Sequence, residues 1–592
     1  MFIRWGCAFV AFATLQLPPQ PSRATAMVVG QVIDAASGRP VAGAIVALDR
    51  NSPRILTGND GRFVFRDLRR GNYTVIAAKP GFADGAYGRI RAGGPSQPLT
   101  VNEGERVGDV VIRLWKHAAI SGTIVDESGE RLVGVQVRAY RRSVVAGRRR
   151  YIPSSVGTSD DRGVFRIGSL LPGDYIVGTL ARQTVIPLSL YRGQPPGSPV
   201  RNVAAESGLV PIGEVSSGLM VLGDAGLLLA RGTPVPPPLA GGRAAVYPAT
   251  YHPSTSVGGS STVITVQPGE EHVNADLQLT PVPTARVSGS LYGPEGVVRR
   301  ATVRLAPAQT AELIGLADLP TTLSDDNGSF IFPAVPAGHY SLRLVAGGSS
   351  AAPGGVARIW LDAPVSVGTD DIDGLVLSTL PGVRVTGRVE FEQSSSRTRV
   401  QLQNVQVVIE PAEIVPATGA FIGHTGPTGE FTSTPLPGGR YYVRIPNSPP
   451  GWMFKSATVD GRDVADIPFD LRQEPASVTI TFTDRWSGVR GSVSGSSGRD
   501  STAMVLVFPT DRETWGSTGL NPRRVRSTRA SRTGEYSFNL TAGDYYVVAI
   551  PEEYSSEWQD PEFLDVLSRS AARITIAEGE RKVQDLRTRE IR

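Results

Sequence analysis

Histidine and cysteine would be the most direct signs of catalysis, and neither residue type is arranged for it in this sequence. A zinc peptidase needs two ligands close together, such as His-x-x-Glu, and a third histidine further away. The five histidines are His117, His252, His272, His339 and His424. None of them has Glu three positions later, no Gly-x-Ser-x-Gly motif occurs, and the single cysteine is Cys7. We therefore predict a protein that is not an enzyme and carries no cofactor.

Two turns rich in aspartate, at residues 160–163 and 325–328, could offer oxygen ligands to Ca²⁺. A calcium loop of the EF-hand type needs oxygens at alternating positions and a terminal Glu, and neither turn supplies them. Asp or Asn followed shortly by Gly is also typical of tight turns without a metal. We predict that these segments are turns and that the chain has no metal site.

Aromatic residues could bind sugars if they were exposed and had polar neighbours. The candidates are Tyr247, Tyr251, His252, Trp452, Trp515 and Trp558. Each aromatic ring has an alternative role in a hydrophobic core or at its rim, since large aromatic side chains are usually buried. Both interpretations stay open at this stage.

The charge pattern argues against nucleic acid as a partner. The net charge is only +5 in 592 residues, and basic residues alternate with acidic ones. The one basic cluster comprises Arg141, Arg142, Arg148, Arg149 and Arg150. A solvated loop and a patch that binds polyanions are the two explanations for it, and no nucleic-acid motif accompanies the cluster.

The N-terminus has the features of a secretory signal peptide. Arg4 precedes an apolar run from Trp5 to Leu17, and Ala24-Thr25-Ala26 has the small-x-small pattern of a cleavage site. We assign residues 1–26 to this signal, which predicts a secreted, periplasmic or cell-surface protein. Cys7 would be removed with it, and no later stretch is long and apolar enough to span a membrane.

A phrase repeated five times determines the predicted architecture. It reads Gly-x-Phe or Gly-x-Tyr, then Leu or Val, then Gly-x-Tyr, which predicts a turn, a strand, a second turn and a returning strand. The turn glycines are Gly61, Gly163, Gly328, Gly429 and Gly534. The recurring tyrosines are Tyr73, Tyr175, Tyr340, Tyr441 and Tyr545. We predict that these tyrosines are structural and that their hydroxyl groups tie the strand to the preceding turn.

Upstream of each phrase lies a short strand with glycine at its centre. These glycines are Gly30, Gly122, Gly289, Gly387 and Gly491. Such a glycine usually marks a close approach of another backbone, or room for a large neighbour. A second alternating strand follows each of them, so that each repeat holds about seven strands in about a hundred residues. This arrangement predicts an all-β protein built as a tandem array of β-sandwiches.

Several of these motifs resemble the carboxypeptidase regulatory-like domain: the Gly-x-Val start, the strand Gly43-Ala44-Ile45-Val46, the Asp-x-Gly-x-Phe turn and the Leu-Pro-x-Gly-x-Tyr return. The resemblance implies sandwiches of the transthyretin-like and starch-binding-like kinds, with an Ig-like outline. The fourth and fifth repeats depart most, because Thr428 and Thr533 replace the Asp before the turn glycine. The family implies no peptidase activity, since these modules are accessory domains on many proteins.

We divide the chain into a signal peptide at residues 1–26 and five sandwiches. The sandwiches are predicted at residues 27–115, 116–284, 285–381, 382–484 and 485–592. The second holds an insertion rich in Pro and Gly at residues 183–243, which is either a functional or a mobile loop. The fifth holds a short helix near residues 561–571, with Asp560 as its N-cap. We expect the sandwiches to pack end to end.

The sequence thus predicts a secreted or cell-surface protein that binds or spaces other molecules without catalysis. The alternative function is carbohydrate binding, and a zinc carboxypeptidase is disfavoured by the missing ligands. Polysaccharides and cell-envelope proteins are the partners to consider. The sequence identifies neither the ligand nor the oligomeric state.

Overall fold

The computed structural model describes residues 25–49, 53–179, 183–189, 215–222, 225–230, 234–237, 239, 244–308, 319–346, 359–394, 402–413, 421–472, 475–496, 498–516 and 518–590. The chain divides into two compact units, of which the first ends at His117 and the second begins at Ala118. Strands dominate both units, and the all-β fold class predicted from the sequence is confirmed. Most of the predicted signal peptide lies outside the described residues.

The first unit is one sandwich of two main sheets. Its strands are β1 (Ala26–Asp34), β2 (Ile45–Leu48), β3 (Arg54–Leu56), β4 (Arg62–Leu68), β5 (Gly71–Tyr73), β6 (Val75–Ala78), β7 (Phe82–Ala83), β8 (Gly85–Ala86), β9 (Leu99–Val101) and β10 (Arg106–Lys116). The first sheet has the order β4-β1-β10-β7 and the second sheet has the order β3-β2-β6-β8. Ala26, the last residue of the predicted signal, is the first residue of β1.

The second sandwich begins the second unit and carries the insertion. The strands of this stretch are β11 (Ala118–Val125), β12 (Gln136–Val145), β13 (Arg148–Thr158), β14 (Val164–Leu170), β15 (Gly173–Thr179), β16 (Thr184–Pro187), β17 (Val215–Leu222), β18 (Ala225–Ala230), β19 (Ala245–Val246), β20 (Ile264–Val266), β21 (Glu271–His272) and β22 (Leu277–Gln278). Strands β14, β11, β21 and β22 form the first sheet, and β13-β12-β15-β20 is the second. β12 and β13, of 10 and 11 residues, pair as an antiparallel hairpin.

The third and fourth sandwiches repeat this plan. The third contains β23 (Val282–Gly293), β24 (Gly296–Val297), β25 (Thr302–Pro307), β26 (Thr321–Leu323), β27 (Ser329–Pro336), β28 (Gly338–Ala346), β29 (Ile359–Val367), β30 (Ile372–Ser378) and β31 (Leu380–Pro381). The fourth contains β32 (Val385–Glu392), β33 (Gln406–Pro411), β34 (Phe421–His424), β35 (Glu430–Thr432), β36 (Gly439–Arg444), β37 (Met453–Val459), β38 (Arg462–Asp463), β39 (Phe469–Leu471) and β40 (Ala476–Thr483). Their second sheets contain β26-β25-β28-β29 and β34-β33-β36-β39.

The fifth sandwich adds the predicted helix. Its elements are β41 (Gly488–Gly495), β42 (Gly498–Arg499), β43 (Ala503–Pro509), β44 (Arg526–Arg529), β45 (Glu535–Asn539), β46 (Gly543–Pro551), α1 (Pro561–Ser568), β47 (Ala572–Ile576), β48 (Arg581–Val583) and β49 (Leu586–Arg587). The Asp560 carboxylate accepts a hydrogen bond from the Glu562 amide, which makes Asp560 the N-cap of α1. The second sheet is β44-β43-β46-β47.

Each sandwich has its own hydrophobic core, because the five large clusters of buried residues draw their members from separate stretches of chain. These clusters lie within residues 26–114, 118–279, 285–367, 383–482 and 489–576. The alternating hydrophobes of both sheets point into the shared interior, as in β1, where every second residue is buried. The tandem array of five sandwiches predicted from the repeats is confirmed.

The central glycine of each first strand faces the aromatic residue of the repeat. Its register partner is Phe63, Phe165, Phe330, Phe431 or Tyr536 in the five sandwiches, in chain order. A Cβ atom placed on Gly30 would lie 2.4 Å from the Phe63 ring and 2.3 Å from the Val110 carbonyl oxygen. The glycine is therefore required by two neighbours at once, a ring and a backbone. All five turn glycines have φ between 69° and 85°, which only glycine adopts without strain.

The recurring tyrosines make the same hydrogen bond in every sandwich, which confirms their predicted structural role. Each hydroxyl group donates to the backbone carbonyl oxygen four residues upstream, over 2.7 to 3.0 Å. Burial raises the pKa of Tyr340 to about 12. The bond anchors the start of the returning strand to the turn before it.

The insertion is organised differently from the prediction. We expected a loop of the second sandwich, but β16 pairs with β26 of the third sandwich in a parallel ladder, with Thr184 opposite Thr321. β18 pairs with β16, and β17 pairs with β18. The described strands of the insertion therefore extend the second sheet of the third sandwich to eight strands. No helix in the described residues is long and apolar enough to cross a membrane.

Candidate functional site

The tryptophan and tyrosine candidates for sugar binding lie mainly in hydrophobic cores. Tyr251, Trp452 and Trp515 are only 4%, 6% and 2% exposed. Trp452 packs edge-on against Phe391 at 4.7 Å between ring centroids, and the Trp515 indole N–H donates to the Pro509 carbonyl oxygen over 2.8 Å. Trp558 is half-buried beside the cluster that contains Trp515. A buried ring offers no face to a sugar, so the core interpretation describes these residues better.

Tyr247 and His252 are the two candidates that keep part of their surface. The Tyr247 hydroxyl group donates to the Glu127 carboxylate over 2.7 Å, and burial together with this carboxylate raises the pKa of Tyr247. His252 Nδ1 lies 2.8 Å from the carbonyl oxygen of Asp276. The six candidates thus do not form one site, since Trp452, Trp515 and Trp558 belong to other sandwiches.

The aspartate-rich turns use their carboxylates internally. Asp160 Oδ1 accepts hydrogen bonds from the amides of Arg162 and Val164, and Asp325 Oδ1 does the same for Asn327 and Ser329. The hydrogen bond from Val164 is the main reason why the pKa of Asp160 lies below its ordinary value. No group of three or more potential metal ligands occurs among the residues that the structure describes.

The arginine cluster has a role that neither sequence-based explanation included. The hairpin of β12 and β13 reaches the fifth sandwich, where Arg149 pairs with Asp560 at 2.6 Å and with Glu562 at 2.8 Å. A Cβ on Gly147, in the hairpin turn, would lie 2.7 Å from the Trp515 carbonyl oxygen. The second sandwich therefore contacts the fifth, which our expectation of purely end-to-end neighbours did not include.

The outer face of the second sheet, turned away from the core, is covered in the second sandwich. Tyr140 and Ile176 point outward there, and Tyr251 packs over both of them. A Cβ on Gly178 would lie 2.4 Å from the Tyr251 ring, so the glycine makes room for that ring. Tyr251 thus acts as a cover for this sheet, which explains its burial.

In the fourth sandwich the same outer face carries polar groups that bind the fifth sandwich. Glu410, fully buried, accepts hydrogen bonds from the Leu520 amide and from the Asn521 side chain, the latter over 2.9 Å. Arg444 donates to the Thr518 carbonyl oxygen over 2.9 Å and lies over the Tyr442 ring. Burial lowers the pKa of Arg444. These contacts join the two sandwiches through a polar network.

The outer face of the fifth sandwich is apolar and is covered by the helix. Met504, Leu506 and Phe508 alternate outward on β43, opposite the core residues of the same strand. Leu564 and Leu567 of α1 pack on them together with Trp515. Val566, on another side of α1, is 44% exposed.

The third sandwich has a more polar outer face. Arg304 of β25 stands opposite Arg343 of β28, and Arg343 forms an ion pair with Asp362 at 3.2 Å. Burial lowers the pKa of Arg304. The charged side chains distinguish this face from the apolar outer faces of the second and fifth sandwiches.

The first sandwich differs from the second and fifth, because its outer face is apolar and open toward its β3 edge. Ile45 stands between Leu56 and Ala78, and their neighbours Ala47 and Ile76 also point outward. Leu56 is 68% exposed and Ile45 is 39% exposed, whereas Ala47 is buried. Adjacent exposed aliphatic side chains on a sheet are a mark of an interaction surface. We call these residues the β2-β6 face and take it as the candidate functional site.

The sequence contains a pattern that marks this face, and this pattern lies outside the aromatic candidates and the insertion. Ile45 alternates with core residues Ala44 and Val46, so all sides of β2 are apolar. A strand that is apolar on both faces is typical of a sheet that is covered on both. A strand with one face in water shows alternating polar and apolar residues. This alternation is absent from β2, and its absence marks the face in the sequence.

Comparison with known proteins shows what the first sandwich is similar to. Residues 27–110 match the family model of the carboxypeptidase regulatory-like domain. The β2-β6 face lies within this matched stretch, and the other four sandwiches repeat its sequence phrase. Among curated proteins, none matches the chain.

Solved structures offer only distant likenesses. The TIE protein of Bacillus anthracis is 14% identical, with 74% of this chain and 66% of that chain covered and a TM-score of 0.14. A streptococcal ancillary pilin is 10% identical, with 60% of this chain and 98% of that chain covered and a TM-score of 0.18. Two B repeat units of the collagen-binding protein of Staphylococcus aureus give 11% identity, 78% and 99% coverage and a TM-score of 0.12. Likenesses this distant say nothing about what the present chain binds.

Proposed function

We propose that this chain is an exported, non-catalytic binding protein of the cell surface or the surrounding medium. In this proposal the second unit is a scaffold and the β2-β6 face of the first sandwich is the recognition surface. The observation that carries the proposal is the open apolar face of the first sandwich, since elements of the same chain cover the apolar outer faces of the second and fifth sandwiches. Burying exposed aliphatic surface favours association.

The scaffold role is supported by charged contacts with buried partners. Glu410 and Arg444 join the fourth and fifth sandwiches, and Arg149 joins the second to the fifth. Arg523 adds a bidentate pair with Asp466, with both distances at 3.0 Å. Contacts of this kind hold domains in fixed relative positions more firmly than exposed ion pairs do.

Retention of the full chain on envelope fragments from the producing cells tests the proposal. We expect Leu56→Arg to abolish retention, because a charge in the middle of an apolar face opposes burial. Val376→Arg is the matched control, since Val376 on the third sandwich is 71% exposed and lies outside the proposed surface. Equal retention of both variants and the native chain would refute the assigned surface. Circular dichroism of both variants verifies folding.

Carbohydrate binding is the second candidate, and Tyr247 is the observation that favours it. This half-buried ring lies beside a carboxylate, a combination suited to stacking and hydrogen bonding with a sugar. A pull-down on insoluble polysaccharides compares the native chain with Tyr247→Ala. Retention that is lost in the variant supports a sugar site, and absence of retention on every glycan removes this candidate.

A further inference from the structure

We propose that the β2-β6 face binds the same face of a second copy of the chain, so that two first sandwiches pack sheet against sheet around a twofold axis. This inference rests on the proposed function and names the partner of that surface. Three properties of the face support it: its shape, its side chains and the positions of its charges.

The side chains of the face lie in two rows across the sheet. Leu56, Ile45 and Ala78 form one row, because Ile45 is the register partner of both of the others. Arg54, Ala47, Ile76 and Ala86 form the next row. All but one are aliphatic, and three are alanines. Ala47 and Ala86 are buried, so Leu56, Ile45, Ile76 and Ala78 provide the aliphatic surface that a partner can reach. This surface is low, which suits another sheet better than a peptide or a sugar.

Two opposite charges flank the aliphatic residues at opposite edges. Arg54 lies on β3 at one edge, and Asp84 immediately precedes β8 at the other. A Cβ on Gly85 would meet Leu114 and Ile112 of the core, so Gly85 points inward and its neighbour Asp84 points outward. Arg89 donates to the carbonyl oxygen of Asp84, not to its carboxylate.

This charge pattern is complementary to itself. Both side chains are exposed, and neither forms an ion pair with another residue in the described part of the chain. An isologous interface repeats every contact twice. When two such faces meet with crossed strands, Arg54 of each copy can stand opposite Asp84 of the other, while Leu56 and Ile45 are buried between them. A partner whose surface carries charges of only one sign would form an ion pair at one edge of the face and not at the other.

Sedimentation of the full chain over about a hundredfold range of concentration measures the association, which depends on protomer concentration. We expect a reversible dimer. Arg54→Asp and Asp84→Arg should each weaken the dimer at least about tenfold, because each places like charges opposite one another. The double variant, which exchanges the two charges, should recover the native association to within about threefold. Arg106→Asp, a substitution at an exposed position of the first sheet, should leave the native association unchanged.

Each result has a defined meaning. A protein that stays monomeric at every concentration overturns the inference. So does a dimer whose affinity is unchanged by the single substitutions, or a double variant that does not recover the native association. A single copy that is still retained on envelope fragments through Leu56 overturns the inference, leaves the proposed function standing and assigns the face to a different partner. Thermal unfolding of each variant separates lost association from lost folding.

Discussion

The first and fourth sandwiches share one fold but treat the outer face of the second sheet in opposite ways. In the fourth, Glu410, Tyr442 and Arg444 point outward and are buried by the fifth sandwich. In the first, the outward residues include Ile45, Leu56 and Ile76, and Leu56 stays largely in solvent. The inner face of each sheet is committed to the core, so only the outer face is free to vary. The difference teaches that this face determines how each sandwich is used.

The chemistry of the two faces fits these two uses. A polar network such as that of Glu410 and Arg444 is specific but costly to leave unsatisfied, which suits a permanent contact within one chain. An aliphatic surface can be exposed at a small cost and buried again, which suits a partner that arrives from outside. Four predictions test this contrast.

The largest effect should come from Glu410→Ala. Because this carboxylate is fully buried, its loss leaves the Leu520 amide and the Asn521 side chain without their acceptor. Removing one member of a buried charged network typically costs 3–5 kcal/mol, so we expect about 4 kcal/mol. Hydrogen exchange of Gln406–Pro411 and Gly439–Arg444 measures the local free energy of opening. Glu390→Ala is the control, because Glu390 and Arg388 form an exposed pair worth at most about 0.5 kcal/mol.

The second prediction compares the apolar outer faces of the first and fifth sandwiches directly. Leu506→Ala removes a fully buried side chain beneath α1 and should cost about 3 kcal/mol. Ile45→Ala shortens an exposed side chain on the corresponding sheet and should change the free energy of unfolding by less than about 0.5 kcal/mol. Thermal unfolding of the full chain reports both changes. An equal loss at Ile45 would mean that its face is already covered.

The features that could be predicted from the sequence are those that each sandwich specifies by itself. The glycine opposite Phe63, the hydroxyl bond of Tyr73 and the N-cap Asp560 all depend on residues with fixed spacing in a single repeat. Local rules for turns, strand alternation and helix caps are sufficient for such features.

Contacts between sandwiches were not predictable in this way. The pairing of Thr184 with Thr321 and the ion pair of Arg149 with Asp560 join residues that are far apart in the chain and have no periodic signal. Nothing near Arg149 in the sequence distinguishes an ion pair with another sandwich from exposure to water. The burial of Trp515 was not predictable either, although its surroundings belong to its own sandwich, because they come from β43, β46 and α1, which are separated along the chain.

The third prediction concerns the hairpin of β12 and β13. Arg149→Ala removes the ion pairs to Asp560 and Glu562, and it should weaken the contact between the second and fifth sandwiches by about 1.5 kcal/mol. Hydrogen exchange at Pro561–Ser568 and in the hairpin should increase together. Arg142→Ala is the control, because its pair with Asp174 at 3.8 Å is more exposed and lies within the second sandwich. Unchanged exchange in the helix would show that Arg149 does not hold the hairpin in place.

The smallest effect tests whether the shared tyrosine bond depends on its surroundings. Tyr441→Phe keeps the ring and removes a buried hydrogen bond of 2.7 Å to the Pro437 carbonyl oxygen, which should cost about 1.5 kcal/mol. Tyr73→Phe removes the same bond in the first sandwich, where it is exposed to water and 2.8 Å long, and should cost about 0.5 kcal/mol. Water can replace the lost partner at Arg69 but not at Pro437. Equal losses of stability in thermal unfolding would show that the contribution of this hydrogen bond to the free energy of unfolding does not depend on its burial.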